Sequence, residues 1–251
     1  DRAHVLQAKI ERLKKAAISR PQVKKKLNID FNEIRKSSKK VISVDKLSVT
    51  TPENRIILNK INLDIYSHER VAFIGKNGSG KTTFIKTVLG EQDLEVSGNV
   101  QIGPSVKIGY LPQVIQFDNE DQQLLEYFKN SSKTNEQRAR EILAKFEFYK
   151  EDVNKRVKNL SGGERMKVKL ADLLQKKINT LIFDEPTNHI DIPTKEVLEG
   201  ALEEFDGTLI FISHDRYFIN KFADKVIEFE DGKINIYLGN YDNYIENKKS
   251  R

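Results

Sequence analysis

The sequence predicts an α/β fold built on a largely parallel sheet. Three observations carry this. Short apolar runs at Val71–Ile74, Leu181–Asp184 and Leu209–Ser213 have the length and uniformity of strands buried on both faces. The first two are followed by helical periodicity, at Thr82–Leu89 and Ile192–Phe205, the alternation that βαβ crossovers produce. A glycine-rich loop joins the first run to its helix.

The remaining elements follow in chain order. Leu6, Ile10, Leu13 and Ala17 recur at steps of four, three and four, one stripe of a basic helix that ends near Ser19-Arg20-Pro21. Residues 21–40 are polar and Lys-rich and read as a linker. A helix this narrow has no core of its own, so it is expected to pack on a further segment or on a partner. Val41–Val49 and Ile61–Ile65 alternate like half-buried strands, which makes a second, antiparallel sheet the expectation at the N-terminal end. Val106–Tyr110 is strand-like. Residues 121–128 and 135–148 carry helical patterns and suggest a small helical insert, bounded at about 113–172, and Gly162–Leu174 reads as a helix. Lys225–Glu230 and Lys233–Tyr237 flank Asp231-Gly232 as a hairpin. The domain reading is therefore a linker over 1–40 and one globular domain over 41–251.

Charge divides the chain at the same place. Residues 1–40 hold 13 of the 43 Lys and Arg and 4 of the 37 Asp and Glu, a net of +9. The remaining 30 basic and 33 acidic residues give −3, within a total of +6. A basic leader on a near-neutral body points to an anionic partner, nucleic acid or membrane surface, or to a solvated helix face. No run of about 18 apolar residues exists, so no spanning helix is expected. Cysteine is absent, which excludes disulfides and thiol chemistry. The chain starts at Asp1 rather than Met, so it is expected to be processed or cut from something longer.

Gly75-Lys76-Asn77-Gly78-Ser79-Gly80-Lys81-Thr82 fits G-x-x-x-x-G-K-[ST] between a buried strand and a helix. Glycines let the backbone curl so that successive N–H groups face one anion, and the helix N-terminus adds its dipole. Lys81 is placed to neutralise β- and γ-phosphates, and the Thr82 hydroxyl to ligate Mg²⁺. Asp184 and Glu185 close the strand Leu181–Asp184, at the end of a parallel sheet that faces the ligand crevice. Asp184 suits an approach to Mg²⁺ through water, and Glu185 the polarisation of an attacking water. Ser161-Gly162-Gly163-Glu164 reads as a helix capping box.

With Leu160-Ser161-Gly162-Gly163-Glu164 standing 20 residues before Asp184, the sequence resembles the ATP-binding-cassette (ABC) ATPases. The phosphate loop, this signature, Asp184-Glu185 and His214 fall in the family's order, and Gln113 in Tyr110-Leu111-Pro112-Gln113 fits its glutamine loop. The resemblance covers about 41–240. Glu185-Pro186-Thr187-Asn188-His189-Ile190-Asp191, Ser213-His214-Asp215-Arg216-Tyr217-Phe218 and Gly239-Asn240-Tyr241-Asp242-Asn243-Tyr244 resemble the ABC-F subfamily. The leader resembles the returning half of the linker between the two cassettes of such a protein, which makes this chain its C-terminal half. The implied fold is a P-loop ABC cassette with a mostly parallel core sheet, an antiparallel β subdomain and a small helical subdomain.

The resemblance implies an ATPase that uses ATP and Mg²⁺. Gly75, Asn77, Gly78, Ser79, Gly80, Lys81, Thr82, Thr83 and Gln113 would bind the nucleotide. Thr82, Gln113 and, through water, Asp184 would hold Mg²⁺. Glu185 would be the general base, and His214 would contact the γ-phosphate. Ser161, Gly162, Gly163 and Asp191 would reach the ATP of an opposite cassette, so a site is complete only with a second cassette, from the missing half or a second copy. His189 is expected near that interface. The family's base-stacking aromatic is missing from Ser48-Val49-Thr50-Thr51-Pro52-Glu53, which leaves Val49, Pro52 or Arg55 to cover the base. ABC-F proteins act on translation, some protecting ribosomes from antibiotics, and the leader suits rRNA or tRNA in a cytoplasmic setting. The alternatives are the nucleotide-binding subunit of a membrane transporter and a non-catalytic, structural cassette.

Overall fold

Val41, Ile42, Val44, Leu47 and Val49 are all buried along β1 (Lys40–Thr50). The strand lies between β2 (Ile56–Tyr66) and β4 (Glu95–Ile102), antiparallel to both. This computed structural model describes residues 39–91, 93–188 and 190–249. The basic helix expected over 2–18, most of the linker and His189 lie outside the described residues.

The second sheet has six strands in the order β5 (Ile108–Leu111), β6 (Thr180–Asp184), β7 (Thr208–Ile212), β3 (Arg70–Ile74), β8 (Lys225–Glu230) and β9 (Lys233–Leu238). The first five run parallel, and β9 returns antiparallel to β8 through Asp231 and Gly232, both at positive φ. That backbone is what a two-residue Asp-Gly hairpin turn requires. All residues of β6 and β7 are buried. The fold is thus α/β with a mostly parallel sheet, an antiparallel subdomain and helices, as the apolar runs predict.

Two cores flank the six-stranded sheet. One packs it against the three-stranded sheet and α1 (Lys81–Leu89), with Phe73, Phe84 and Phe229 in mutual contact at 5.1–5.7 Å between ring centroids. Aromatic pairs of this geometry add about 0.5–1.5 kcal/mol each beyond their burial. The other core lies on the opposite face, under helices. Between β5 and β6 the chain makes α2 (Leu124–Ser132), α3 (Glu136–Lys145), two short 3₁₀ turns and α4 (Gly162–Gln175). α5 (Ile192–Glu204), α6 (Arg216–Phe222) and α7 (Tyr241–Lys249) complete the chain. Among the described residues no helix is long and apolar enough to cross a membrane.

Candidate active site

The phosphate loop is built by backbone that only glycine adopts freely. Gly75, Gly78 and Gly80 have φ of +139°, +77° and +100°. At Gly75 a Cβ would sit 2.4 Å from the Phe229 carbonyl oxygen, and at Gly80 2.8 Å from Leu58 Cδ2. The loop is therefore clamped at its two ends, by β8 at Gly75 and by β2 at Gly80, while Gly78 has open space around it and is held to glycine by its φ alone. Lys76, Asn77 and Gly78 are exposed at its crest. Thr82 and Thr83 open α1 half-buried.

Lys81 folds back under the loop, with Nζ donating to the Gly75 and Lys76 carbonyls at 2.9 Å each. Burial lowers its pKa, and the nearby Glu185 and Asp184 carboxylates oppose that shift. Among the described residues, Ser79 Oγ and Asp184 Oδ1 are buried polar atoms without a partner. Burial pushes the Asp184 carboxyl up, against a hydrogen bond from Thr82. A buried orphan carboxylate oxygen and a buried orphan hydroxyl are costly unless something binds them. Among the described residues no cluster of three or more His, Asp or Glu forms a metal cage. One carboxylate, a threonine hydroxyl and an amide carbonyl are instead the donor set of a Mg²⁺ that also takes phosphate oxygens. The residues present fit that ion.

Glu185 follows at φ +52°, with its N–H donating to the Ile212 carbonyl at 3.0 Å. Its Oε2 accepts from Gln113 Nε2 at 2.9 Å and from Asn188 Nδ2. Its Oε1 lies 3.6 Å from His214 Nε2. Gln113 comes from the end of β5, Glu185 from β6 and His214 from β7, so three adjacent strands deliver these side chains to one edge of the sheet. Thr187 Oγ1 lies 3.3 Å from Ser213 Oγ, and Ser213 Oγ accepts from the Asp215 N–H at 3.0 Å. These contacts tie the loop after β6 to the loop after β7. Asn188 was not assigned by its sequence position; its short side chain three residues after the carboxylate is the local signal. Thr187 and Ser213 stand inside the two segments that resemble the ABC-F subfamily, but nothing in either segment alone shows that their hydroxyls meet.

Ser161, Gly162, Gly163 and Asp191 form a separate group. Ser161 caps α4, its Oγ accepting from the Glu164 N–H at 3.2 Å and its N–H donating to Glu164 Oε2 at 2.8 Å. Asp191 caps α5, accepting from the Thr194 N–H at 3.0 Å, and those bonds hold its carboxyl below its usual range. A Cβ on Gly163 would sit 2.9 Å from Thr194 Oγ1, so the two helix starts meet there. Among the described residues no hydrogen bond or ion pair joins this group to the phosphate loop. Val49 is fully buried between the sheets, which removes it as a cover for a base. Pro52 and Arg55 stay exposed in the turn before β2.

Residues 58–188 match the family described as ABC transporter. The chain is 34% identical over 254 residues to ABC transporter F family member 5 of Arabidopsis thaliana, covering 98% of this chain and 36% of that protein. It is 34% identical over 216 residues to ribosome protection protein VmlR of Bacillus subtilis (strain 168), covering 86% of this chain and 38% of that one. The chain thus spans little more than a third of the relatives it matches. A solved ABC transporter of the metal-chelate type, in an inward-facing conformation, shares the fold at a TM-score of 0.64 and 21% identity, over 79% of this chain and 83% of that one. With this fold, this phosphate loop and these relatives, the chain belongs to the ABC family, as an ATPase cassette of the ABC-F type.

Proposed function

We propose that this cassette binds Mg·ATP, hydrolyses the γ-phosphate together with a second cassette, and acts on the ribosome. The observation that carries the chemistry is the Glu185 carboxylate, held by Gln113 and Asn188 and facing His214 beside the phosphate loop. Nucleotide phosphates would take over Lys81 Nζ from the Gly75 and Lys76 carbonyls, while the loop amides hold the same oxygens. Thr82, Gln113 and, through water, Asp184 would hold Mg²⁺, which neutralises charge on the β- and γ-phosphate oxygens when bound. Glu185 accepts the proton of the attacking water as the new P–O bond forms and the bond to ADP breaks. His214 orients that water and the γ-phosphate. Catalysis of this kind is positioning and electrostatics.

ABC cassettes work as dimers or pairs. The separation of Ser161–Gly163 and Asp191 from this chain's own phosphate loop supports their serving an opposite cassette, from a missing N-terminal half or a second copy. We assign residues 1–40 to the end of a linker and 41–251 to the cassette, with its helical insert over about 113–172. The net +9 of the leader supports contact with rRNA or tRNA. The name of the relative VmlR supports a ribosomal site of action, ribosome protection included. The test is ribosome co-sedimentation of the full-length protein carrying Glu185→Gln. It is expected to accumulate on ribosomes in ATP and not in ADP. Equal sedimentation in both nucleotides would overturn the ribosomal reading and leave the ATPase reading to its own kinetics.

A further inference from the structure

Glu228 is a buried carboxylate outside the chemistry described above, 5% exposed in the middle of a parallel strand. Its carboxylate accepts from Tyr244 Oη at 2.7 Å, from Tyr237 Oη at 3.3 Å and from Lys248 Nζ. Tyr237 belongs to β9, and Tyr244 and Lys248 to α7. Burial alone would push the carboxyl up; the bonds from Lys248 and Tyr244 outweigh it and hold the pKa below its usual value. The Tyr244 hydroxyl is pushed up to about 12 by burial and by the carboxylate it donates to.

A leucine would fill this position without desolvating a charge. What the carboxylate adds is a fixed place for α7 against β8, and β8 abuts the phosphate loop. Glu228 is the parallel partner of Ile74, the residue before Gly75. The next residue, Phe229, puts its carbonyl oxygen 2.4 Å from where a Cβ of Gly75 would be. The Phe229 ring packs on Phe84, in the helix that leaves the loop. Residues 228 and 229 thus touch the chain on both sides of the loop.

We infer that Glu228 is a positioning residue for nucleotide binding: with Tyr237, Tyr244 and Lys248 it latches α7 onto β8 and so holds the phosphate loop in its binding curve. This rests on the reading of residues 75–82 as the triphosphate site. Loosening the latch lowers affinity for triphosphate in protein that is still folded.

The test measures binding of a fluorescent ATP analogue and thermal unfolding of the full chain carrying Glu228→Leu, Tyr244→Phe, Asp172→Asn or Lys81→Ala. Asp172 is the control, a buried carboxylate bonded to Ser131, Ser132 and Lys176 in the helical insert. Glu228→Leu is expected to weaken binding about fivefold or more, and Tyr244→Phe about twofold to threefold, the low end of what one lost hydrogen bond is worth. Asp172→Asn should lower the melting temperature while affinity stays within about twofold. If Glu228→Leu does not fold, Tyr244→Phe decides. Unchanged affinity in the latch variants with weakened binding in Lys81→Ala overturns the latch alone. Unchanged affinity in Lys81→Ala overturns the phosphate-site reading and the latch with it. Equal affinity losses in Asp172→Asn and the latch variants would reduce Glu228 to a structural residue.

Discussion

Asp184 and Glu185 are neighbours in the chain, yet their carboxylates face different groups. Asp184 ends β6 in regular strand geometry, 2% exposed, with Thr82 on one side and one oxygen without a partner. Glu185 turns to φ +52°, and its carboxylate faces Gln113, Asn188 and His214. A left-handed φ at a non-glycine residue is strained by about 1–2 kcal/mol, and such strain persists where the surroundings fix it. Here the bond from the Glu185 N–H to Ile212 fixes it. The strained turn gives the two like charges different surroundings.

The first prediction concerns Glu185. Glu185→Gln keeps the shape, and Gln113 and Asn188 can still donate to its amide oxygen. The proposed general base is lost. Turnover should fall by about 10²–10⁴-fold, the usual contribution of a general base, with ATP affinity within about threefold of the parent. Phosphate release and nucleotide titration on the protein paired with its second cassette check this. Parental turnover would remove Glu185 from the role.

The second prediction uses the raised pKa of Asp184. An acid whose folded pKa lies above its unfolded value favours folding below the unfolded value. That advantage is lost as pH rises through the folded pKa. At neutral pH the charged, buried Asp184 therefore opposes folding of the nucleotide-free protein. Asp184→Asn should raise the melting temperature at pH 7 without nucleotide, and the difference should shrink as pH falls toward the ordinary value of 3.8. The same substitution should reduce the stabilisation that Mg·ATP gives the parent. Thermal unfolding against pH, with and without Mg·ATP, reads both.

How much of this the residues declare depends on where the stabilising partner lies. The runs Val71–Ile74, Leu181–Asp184 and Leu209–Ser213 declare buried strands, because burial on both faces demands continuous apolar residues. The strand Glu95–Ile102 is silent in the sequence. Every residue in it but Val100 is exposed, and its form comes from pairing with β1. The helix Tyr241–Lys249 is silent for a related reason. Its sequence is polar, and Tyr244 and Lys248 are drawn in by Glu228, which lies 16 and 20 residues earlier. In the site, the phosphate loop and Glu185 are legible because their chemistry is local. The ties among Thr187, Ser213 and Asp215 join two loops that only the sheet brings together.

A third prediction concerns the leader. Counterion release makes binding to single-stranded nucleic acid fall with salt by a slope of about 0.7 per phosphate contacted. Replacing Lys24, Lys25 and Lys26 by Gln should therefore flatten the slope of log affinity against log salt for an RNA by up to about 2. ATPase turnover should not change, since the proposed cassette begins at residue 41. An unchanged slope would take these lysines out of the RNA contact.

The fourth prediction separates the two roles of Ser161. Its hydroxyl caps α4, and it is also the residue proposed to face a second cassette's ATP. Ser161→Ala removes the cap and should cost about 1 kcal/mol of stability. Ser161→Asp retains a side-chain oxygen for the Glu164 N–H, and a negative charge at a helix N-terminus is favourable, although Glu164 lies close by. That variant should melt nearer the parent than Ser161→Ala does. It also puts an anion where a γ-phosphate would dock, so its turnover in the paired protein should fall at least as far as that of Ser161→Ala. Activity and melting temperature then move in opposite directions between the two variants. If turnover simply follows melting temperature, Ser161 is a cap and the opposite-cassette contact lies elsewhere.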